Sequence, residues 1–387
     1  MKNNLLIFSA LVVLIANAQN NNTTIETLFN ESKKAHSSAV VVFKDGKLWK
    51  ESYFESSSRK IEAMSVTKSI VSLGIGRLIM QGKIKSINQP IHEFYPEWNQ
   101  GRKKEITIKH LLNHTSGLQN YPNTSVEIYP SPDFIKLALA AELENTPGTK
   151  FLYNNKAVNL LAGIIEKASR VRMDEFFKVE IFKPMGIIDF SWSVDSAGNP
   201  HAMSGLQIFP KDLAKIGQLV LNRGKWNGNQ LIHENWFDIM LIPSQNHYMK
   251  CGLLWWLIPQ KTYLVIDDIQ IERIKSTSLE DSIINKLERL KGRYENEEHY
   301  IAKVDSVIGL KKARKINDVL NKYDIVLERT EFDKTIGFRA EGYLGQYLII
   351  YPEKNIVAVR MIEWSEDYNK YTDLFKNFED LVYKLTY

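Results

Sequence analysis

The chain has 387 residues, 44% hydrophobic and 25% charged, with 50 Lys and Arg against 45 Asp and Glu for a formal net charge of +5. This is the composition of a globular protein with a sizeable core, and it excludes a disordered chain, a collagen-like repeat and a multi-span membrane protein. The charges are mixed without a long basic stripe, so nucleic acid is not an expected partner, and the single cysteine, Cys251, excludes an internal disulfide and a Cys-based zinc site.

Residues 1–18 read MKNNLLIFSALVVLIANA: one lysine, an apolar run from Leu5 to Ile15, then Ala16-Asn17-Ala18, the small-x-small pattern of a signal-peptidase site. The run is short for a membrane span, and an uncleaved anchor is the alternative. The expectation is a signal peptide over 1–18, a leader and first helix over 19–36, and a domain over 37–387. After cleavage the protein would be periplasmic or secreted, with no stable membrane span.

Ala39 to Tyr53 holds two β-rich runs around Asp45-Gly46, a hairpin signal. Ser57-Ser58-Arg59-Lys60 is a first S-x-x-K, set in a polar stretch with no apolar helix behind it. Ser65-Val66-Thr67-Lys68 is a second, and it leads into the apolar run from Ile70 to Ile79. At the first turn of such a helix the free N–H groups and the dipole favour negative charge on Ser65. Lys68, three residues on, shares its face, and a lysine in a dry pocket can act as the base a serine needs. The alternative is an N-cap serine with a solvated lysine.

Pro147-Gly148 forms a turn before Tyr153, Asn155 and an apolar helix from Val158 to Ile165. Tyr153-x-Asn155 puts a phenol and an amide on one loop. A phenolate near an ammonium can relay a proton, and the amide can hold a substrate carbonyl. A core tyrosine with a satisfied hydroxyl is the plain alternative. Residues 261–334 differ from the rest, with 15 Lys or Arg and 15 Asp or Glu among 74 residues and no proline. Ile283, Ile284, Leu287 and Leu290 recur at helical spacing, so the segment reads as a charged helical insertion of solvated helices rather than a core.

Late in the chain, Gly342-Tyr343-Leu344-Gly345-Gln346 runs into a hairpin: Tyr347 to Tyr351, a turn over Pro352 to Asn355, then Ile356 to Ile362. The glycines let a strand approach a ligand closely, and a strand N–H there would complete an oxyanion hole with the N–H of Ser65. Gly-x-x-Gly also makes a simple turn. Leu374, Phe375, Phe378, Leu381, Val382 and Leu385 then predict an amphipathic helix. The fold class implied is α/β in an α+β arrangement: an antiparallel sheet formed by both chain ends, flanked by helices, with a mostly helical inserted region.

Together these elements resemble the serine β-lactamase-related family, which takes in class C β-lactamases, DD-peptidases, esterases and 6-aminohexanoate-dimer hydrolases. The most specific match is ITIKHLLNHTSGL, Ile106 to Leu118. Pro184-Met185-Gly186, Phe209 to Gly217, Gly252 to Trp256 and the C-terminal hairpin are also similar. The resemblance implies a β-lactamase/transpeptidase-like fold and acyl-enzyme chemistry with no cofactor and no metal. It places Ser65 and Lys68 at the nucleophile and its lysine, Tyr153 and Asn155 at the second motif, and Gly342 and Gln346 on the substrate-binding strand. It gives His114 a structural role. Lys334-Thr335 is followed by Ile336, so the Lys-Thr-Gly triad of β-lactamases is missing there, and Gly342 to Gln346 resembles the amide-hydrolase and esterase side.

The activity implied is hydrolysis of a small amide or ester through an acyl group on Ser65. Alternatives are a DD-carboxypeptidase or D-aminopeptidase on cell-wall peptides, a β-lactamase, or a catalytically silent binding or sensor protein. The expected partner is a small-molecule amide, ester or peptide substrate. The flanks of 261–334 belong by resemblance to the cleft walls, so the insertion is expected as helices near the mouth, without a catalytic group.

Overall fold

The turn at Asp45 and Gly46 has φ of 52° and 73°, the two positive values that a two-residue hairpin of the favoured twist demands. It joins β1 (Ala39–Lys44) to β2 (Lys47–Tyr53). A computed structural model describes residues 24–54, 57–323 and 325–385; the expected signal peptide and its cleavage point lie outside the described residues. Two units are distinguished. The first takes in the described residues up to His247, Cys251–Leu257 and those from Gly337 onward, and the second Tyr248–Lys250 and Ile258–Ile336.

A six-stranded sheet runs in the order β2-β1-β6-β5-β4-β3, where β3 is Trp256–Pro259, β4 Thr335–Gly342, β5 Gln346–Tyr351 and β6 Ile356–Met361. β1 and β6 pair antiparallel from Ala39↔Met361 to Lys44↔Ile356, so strands from the two ends of the described chain stand side by side, as expected. Alternation along the strands puts Val41, Ala340, Leu348, Ile350, Val357 and Val359 into one core with the helices. α1 (Val66–Met80) crosses that core and is buried at every residue from Val66 to Gly76, which an all-round apolar helix requires. Burying a side chain such as Ile70 contributes about 1.5–3 kcal/mol.

α2 (Asn155–Ser169) lies alongside, started by the Asn154 side chain, whose Oδ1 accepts the Ala157 N–H at 2.9 Å. Such a cap stabilises a helix by about 1 kcal/mol. α3 (Pro210–Leu221) packs on β1, β5 and β6. The C-terminal helix, α4 (Phe378–Lys384), starts later than its apolar spacing predicts: Phe375, with φ 51°, lies before it. Phe378 stacks on Tyr347 at 5.7 Å.

The second unit departs from the expected bundle of solvated helices. It does contain helices, at Asp268–Lys275, Asp281–Glu288, Glu297–Val307 and Leu310–Lys322. It also contains a three-stranded antiparallel sheet, with Thr262–Ile266 between Gly292–Tyr294 and Arg329–Phe332. Ile266, Ile271, Ile274, Leu287, Leu290 and Leu320 belong to a core of its own. The charge density hid this core because each short element supplies only a few apolar residues from one face.

Candidate active site

A two-residue strand, Ile61–Glu62, pairs with Leu206–Ile208 and delivers the chain to Ser65. Met64 between them is left-handed at φ 50°, a conformation that costs a non-glycine residue of order 1–3 kcal/mol and clusters at functional sites. Ser65 stands at the N-cap of α1, yet its hydroxyl makes no capping bond. Instead Oγ accepts a hydrogen bond from Lys68 Nζ at 2.8 Å. The N-cap alternative therefore fails, and so does the solvated lysine, since Lys68 is only 3% exposed.

Lys68 Nζ also donates to the Met203 carbonyl at 2.6 Å. Burial lowers its pKa from 10.5 to about 7, because an ammonium loses hydration that a neutral amine hardly misses. Asn159, one turn along α2 from Asn155, fixes the Met203 backbone by accepting its N–H at 3.1 Å. Neither Met203 nor Asn159 stands out in the sequence. Only contact between segments 135 residues apart makes the Met203 carbonyl a partner of Lys68.

The Tyr153 side chain is hydrogen-bonded to Ser65, and burial, with a smaller contribution from Glu341, pushes its pKa up to about 12. The Lys68 ammonium position is 5.1 Å from its ring centre. Burial disfavours both charges of the phenolate–ammonium relay expected from the sequence: it raises Tyr153 and lowers Lys68, whose amine and ammonium forms are both populated near pH 7. His114 lies behind Tyr153, ring centres 4.5 Å apart, and its Nδ1 accepts the Asn154 N–H at 3.2 Å. Burial and the Lys68 charge push His114 down to about 3, so it shapes the Tyr153 loop as a neutral ring. Asn155 begins α2 with Oδ1 buried and unpartnered. An acceptor left so costs about 1–3 kcal/mol unless a donor reaches it, as a substrate amide would.

Ser65, Tyr153, Trp256, Glu341, Gly342 and Tyr343 line a cleft of about 680 Å³. Gly342 is there for space. A Cβ on it would stand 2.8 Å from the Ala63 carbonyl oxygen and 2.9 Å from the Ser65 nitrogen. Its backbone therefore runs against the nucleophile's own, where a strand N–H and the Ser65 N–H can share one oxyanion. Gln346 is brought elsewhere. It is fully buried, donates from Nε2 to the Ile362 carbonyl at 2.6 Å and accepts the Ile362 N–H at 3.0 Å. It clamps the hairpin and does not line the cleft. Ser57, in the other S-x-x-K, is exposed and does not line the cleft either. Trp256, stacked on Tyr153 at 6.3 Å, and Glu341, whose carboxylate pairs with Arg339 at 3.1 Å, lie in the flanks expected as cleft walls, but the sequence did not single them out as site residues. The place of Glu341 directly before Gly342 was the available signal.

Known proteins share this plan. Over 135 residues the chain is 34% identical to a penicillin-binding protein of Bacillus subtilis, a stretch that makes up 33% of this chain and 29% of that one. It is 24% identical over 205 residues to the protein flp of Staphylococcus aureus, 48% of this chain and 41% of that one. The chain thus spans less than half the length of these curated relatives. It shares its fold, at a TM-score of 0.63 and 18% identity, with a Bacillus anthracis protein provisionally described as a 6-aminohexanoate-dimer hydrolase, over 91% of this chain and 80% of that one. A match to the beta-lactamase family runs from residue 23 to 237 and takes in Ser65, Lys68 and Tyr153. With more than half of its length in that match, the chain belongs to the beta-lactamase family.

Proposed function

We propose that the protein is a serine hydrolase that cleaves a small amide or ester by acyl transfer through Ser65. The observation that carries this reading is the 2.8 Å bond from Lys68 Nζ to Ser65 Oγ together with a lysine pKa of about 7. Near neutral pH the amine form is well populated and within proton-transfer reach of the hydroxyl. Neutral Lys68 takes the Ser65 proton as Oγ attacks the carbonyl carbon. The oxyanion is held by the N–H of Ser65 and one from the strand at Gly342 or Tyr343. Tyr153, a phenol, gives its proton to the leaving nitrogen or oxygen and is reprotonated from the Lys68 ammonium. Water then attacks the acyl group, with the same pair moving protons in reverse.

The substrate reading rests on the strand. Ala340-Glu341-Gly342 carries no lysine before its glycine, and of the two cationic side chains that line the cleft, Arg339 and Lys376, Arg339 is paired with Glu341 at 3.1 Å and Glu379 at 2.8 Å, so the strand itself offers no lysine to the carboxylate of a β-lactam or of a peptide C-terminus. This supports a linear amide or ester, the class named for the Bacillus anthracis protein. Likeness to a penicillin-binding protein supports a second reading, a peptidase of cell-wall peptides. Residues 1–18 support export, to the periplasm or beyond.

Intact-mass spectra after fluorophosphonate treatment should show one adduct, on Ser65. Ser65→Ala should abolish labelling and hydrolysis, while Ser57→Ala should change neither; an adduct elsewhere would sink the assignment. A panel of p-nitrophenyl esters, linear amide dimers, D-Ala-D-Ala peptides and nitrocefin separates the substrate readings.

A further inference from the structure

A buried guanidinium sits behind the substrate-binding strand, on the β6 residue Arg360, which is fully excluded from solvent. Its hydrogen bonds go to neutral oxygens. Nη1 donates to the carbonyls of Leu344 at 3.0 Å and Gly345 at 2.7 Å. Nη2 donates to the carbonyls of Ala35 at 2.9 Å and Asp373 at 2.6 Å, and Nε to the Ser37 hydroxyl at 2.8 Å. Three separate pieces of chain converge on it: the segment before β1, the segment before α4, and the turn between β4 and β5.

That turn is the one that matters for the site. Leu344 and Gly345 are both left-handed, with φ 69° and 88°, and Leu344 adopts this conformation without glycine's freedom. A Cβ on Gly345 would stand 2.5 Å from Arg360 Nη1 and 2.7 Å from the Leu374 carbonyl oxygen. The second glycine of Gly342-x-x-Gly345-Gln346 thus makes room for the guanidinium, as the first makes room for Ser65. The turn starts at Gly342, whose backbone abuts the Ser65 nitrogen.

We infer that Arg360 is a positioning residue for the oxyanion hole: by gripping the Leu344 and Gly345 carbonyls, its guanidinium fixes the turn and with it the strand N–H beside Ser65. The inference rests on the acyl-transfer reading above. Displacement of a catalytic donor by about 1 Å is enough to cost about 10²-fold in rate, and a single lysine amine cannot reach the same set of oxygens that a planar fork does.

The test is Arg360→Lys in the full-length protein, at a temperature where circular dichroism shows it folded. Its kcat on a p-nitrophenyl ester should fall by about 10- to 100-fold with KM little changed. Its affinity for phenylboronic acid, whose serine adduct places an oxygen in the oxyanion hole, should fall in parallel. The acid limb of its pH profile, set by Lys68, should stay in place. Val382→Ala, a cavity variant in α4 away from the cleft, controls for lost stability and should leave kcat and boronate affinity unchanged. A folded Arg360→Lys with native kcat and boronate affinity, or with loss in KM alone, overturns the inference. If Arg360→Lys does not fold, Ser37→Ala removes one partner and keeps the charge; it should show a smaller loss in kcat and boronate affinity together, and native values for both overturn the inference. Failure of wild-type Ser65 to label would instead strike at the acyl-transfer reading.

Discussion

Gly342→Ala is the most informative single change in the cleft, because its effect follows from space alone. Gly342 is extended, with φ −137°, so alanine meets no backbone penalty. Its Cβ would stand 2.8–2.9 Å from the Ala63 oxygen, Met64 Cβ and Ser65 nitrogen, where ordinary contact begins at 3.4 Å. Each gap must therefore open by about 0.5 Å, and the Ala63 oxygen and Ser65 nitrogen are main-chain atoms that cannot rotate away. Oxyanion donors act over a window of about 2.7–3.1 Å, and losing one costs about 10²–10³-fold in kcat, or about 2.7–4 kcal/mol. We expect a loss of that size, with KM changed far less, measured on a p-nitrophenyl ester alongside the rate of fluorophosphonate labelling. Gly337→Ala in the same strand is the control. Its Cβ would strike the Tyr351 ring at 2.6 Å and the Ile350 carbonyl at 2.7 Å, outside the cleft, so it should lower Tm and spare kcat. A folded Gly342→Ala with kcat within about threefold of wild type would refute the reasoning.

The pH profile of kcat/KM should rise with an apparent pKa near 7 as Lys68 loses its proton, and no such limb in the profile would remove Lys68 as the base. Lys68 titrates lower folded than unfolded, so the unfolded chain binds the extra proton between about pH 7 and 10.5 and stability gains over that window; Lys68→Met should accordingly raise Tm relative to wild type more at pH 6 than at pH 9. Lys68→Ala and Tyr153→Phe should each lower kcat by about 10²-fold or more, with the double variant little worse than either, whereas additive losses would mean separate proton paths. Replacing 264–332 by a short Gly/Ser linker should leave turnover of a small p-nitrophenyl ester intact, because Ser65, Lys68 and Tyr153 all lie in the first unit; a folded but inert deletion protein would place an essential group in the segment.

The parts legible in the sequence are those set by local rules. Period and turn chemistry mark both hairpins and the apolar helix behind Ser65, and the three-residue step to Lys68 survives folding because helix geometry guarantees it. Parts set by register or by the whole core are not legible. Gln346 looks like a site residue by its place after two glycines, but its amide pairs with Ile362, sixteen residues on, and only the pairing of β5 with β6 reveals that. The protonation of Lys68 and Tyr153 depends on how completely they are desolvated, which no residue type encodes. The sheet of the second unit is hidden for another reason: strands such as Arg329–Phe332 are four residues long, and none of those four residues is fully buried.

The pairing of β1 with β6 has a consequence for the order in which the site is assembled. Ser65 and Lys68 are translated early, but Gly342 comes nearly 280 residues after Ser65, and its strand is joined to β1 through β5 and β6. Contacts so distant in sequence form late and slowly. Under the acyl-transfer reading, a nascent chain therefore carries a nucleophile with no strand beside it to complete an oxyanion hole, and the site is completed only with the final strands.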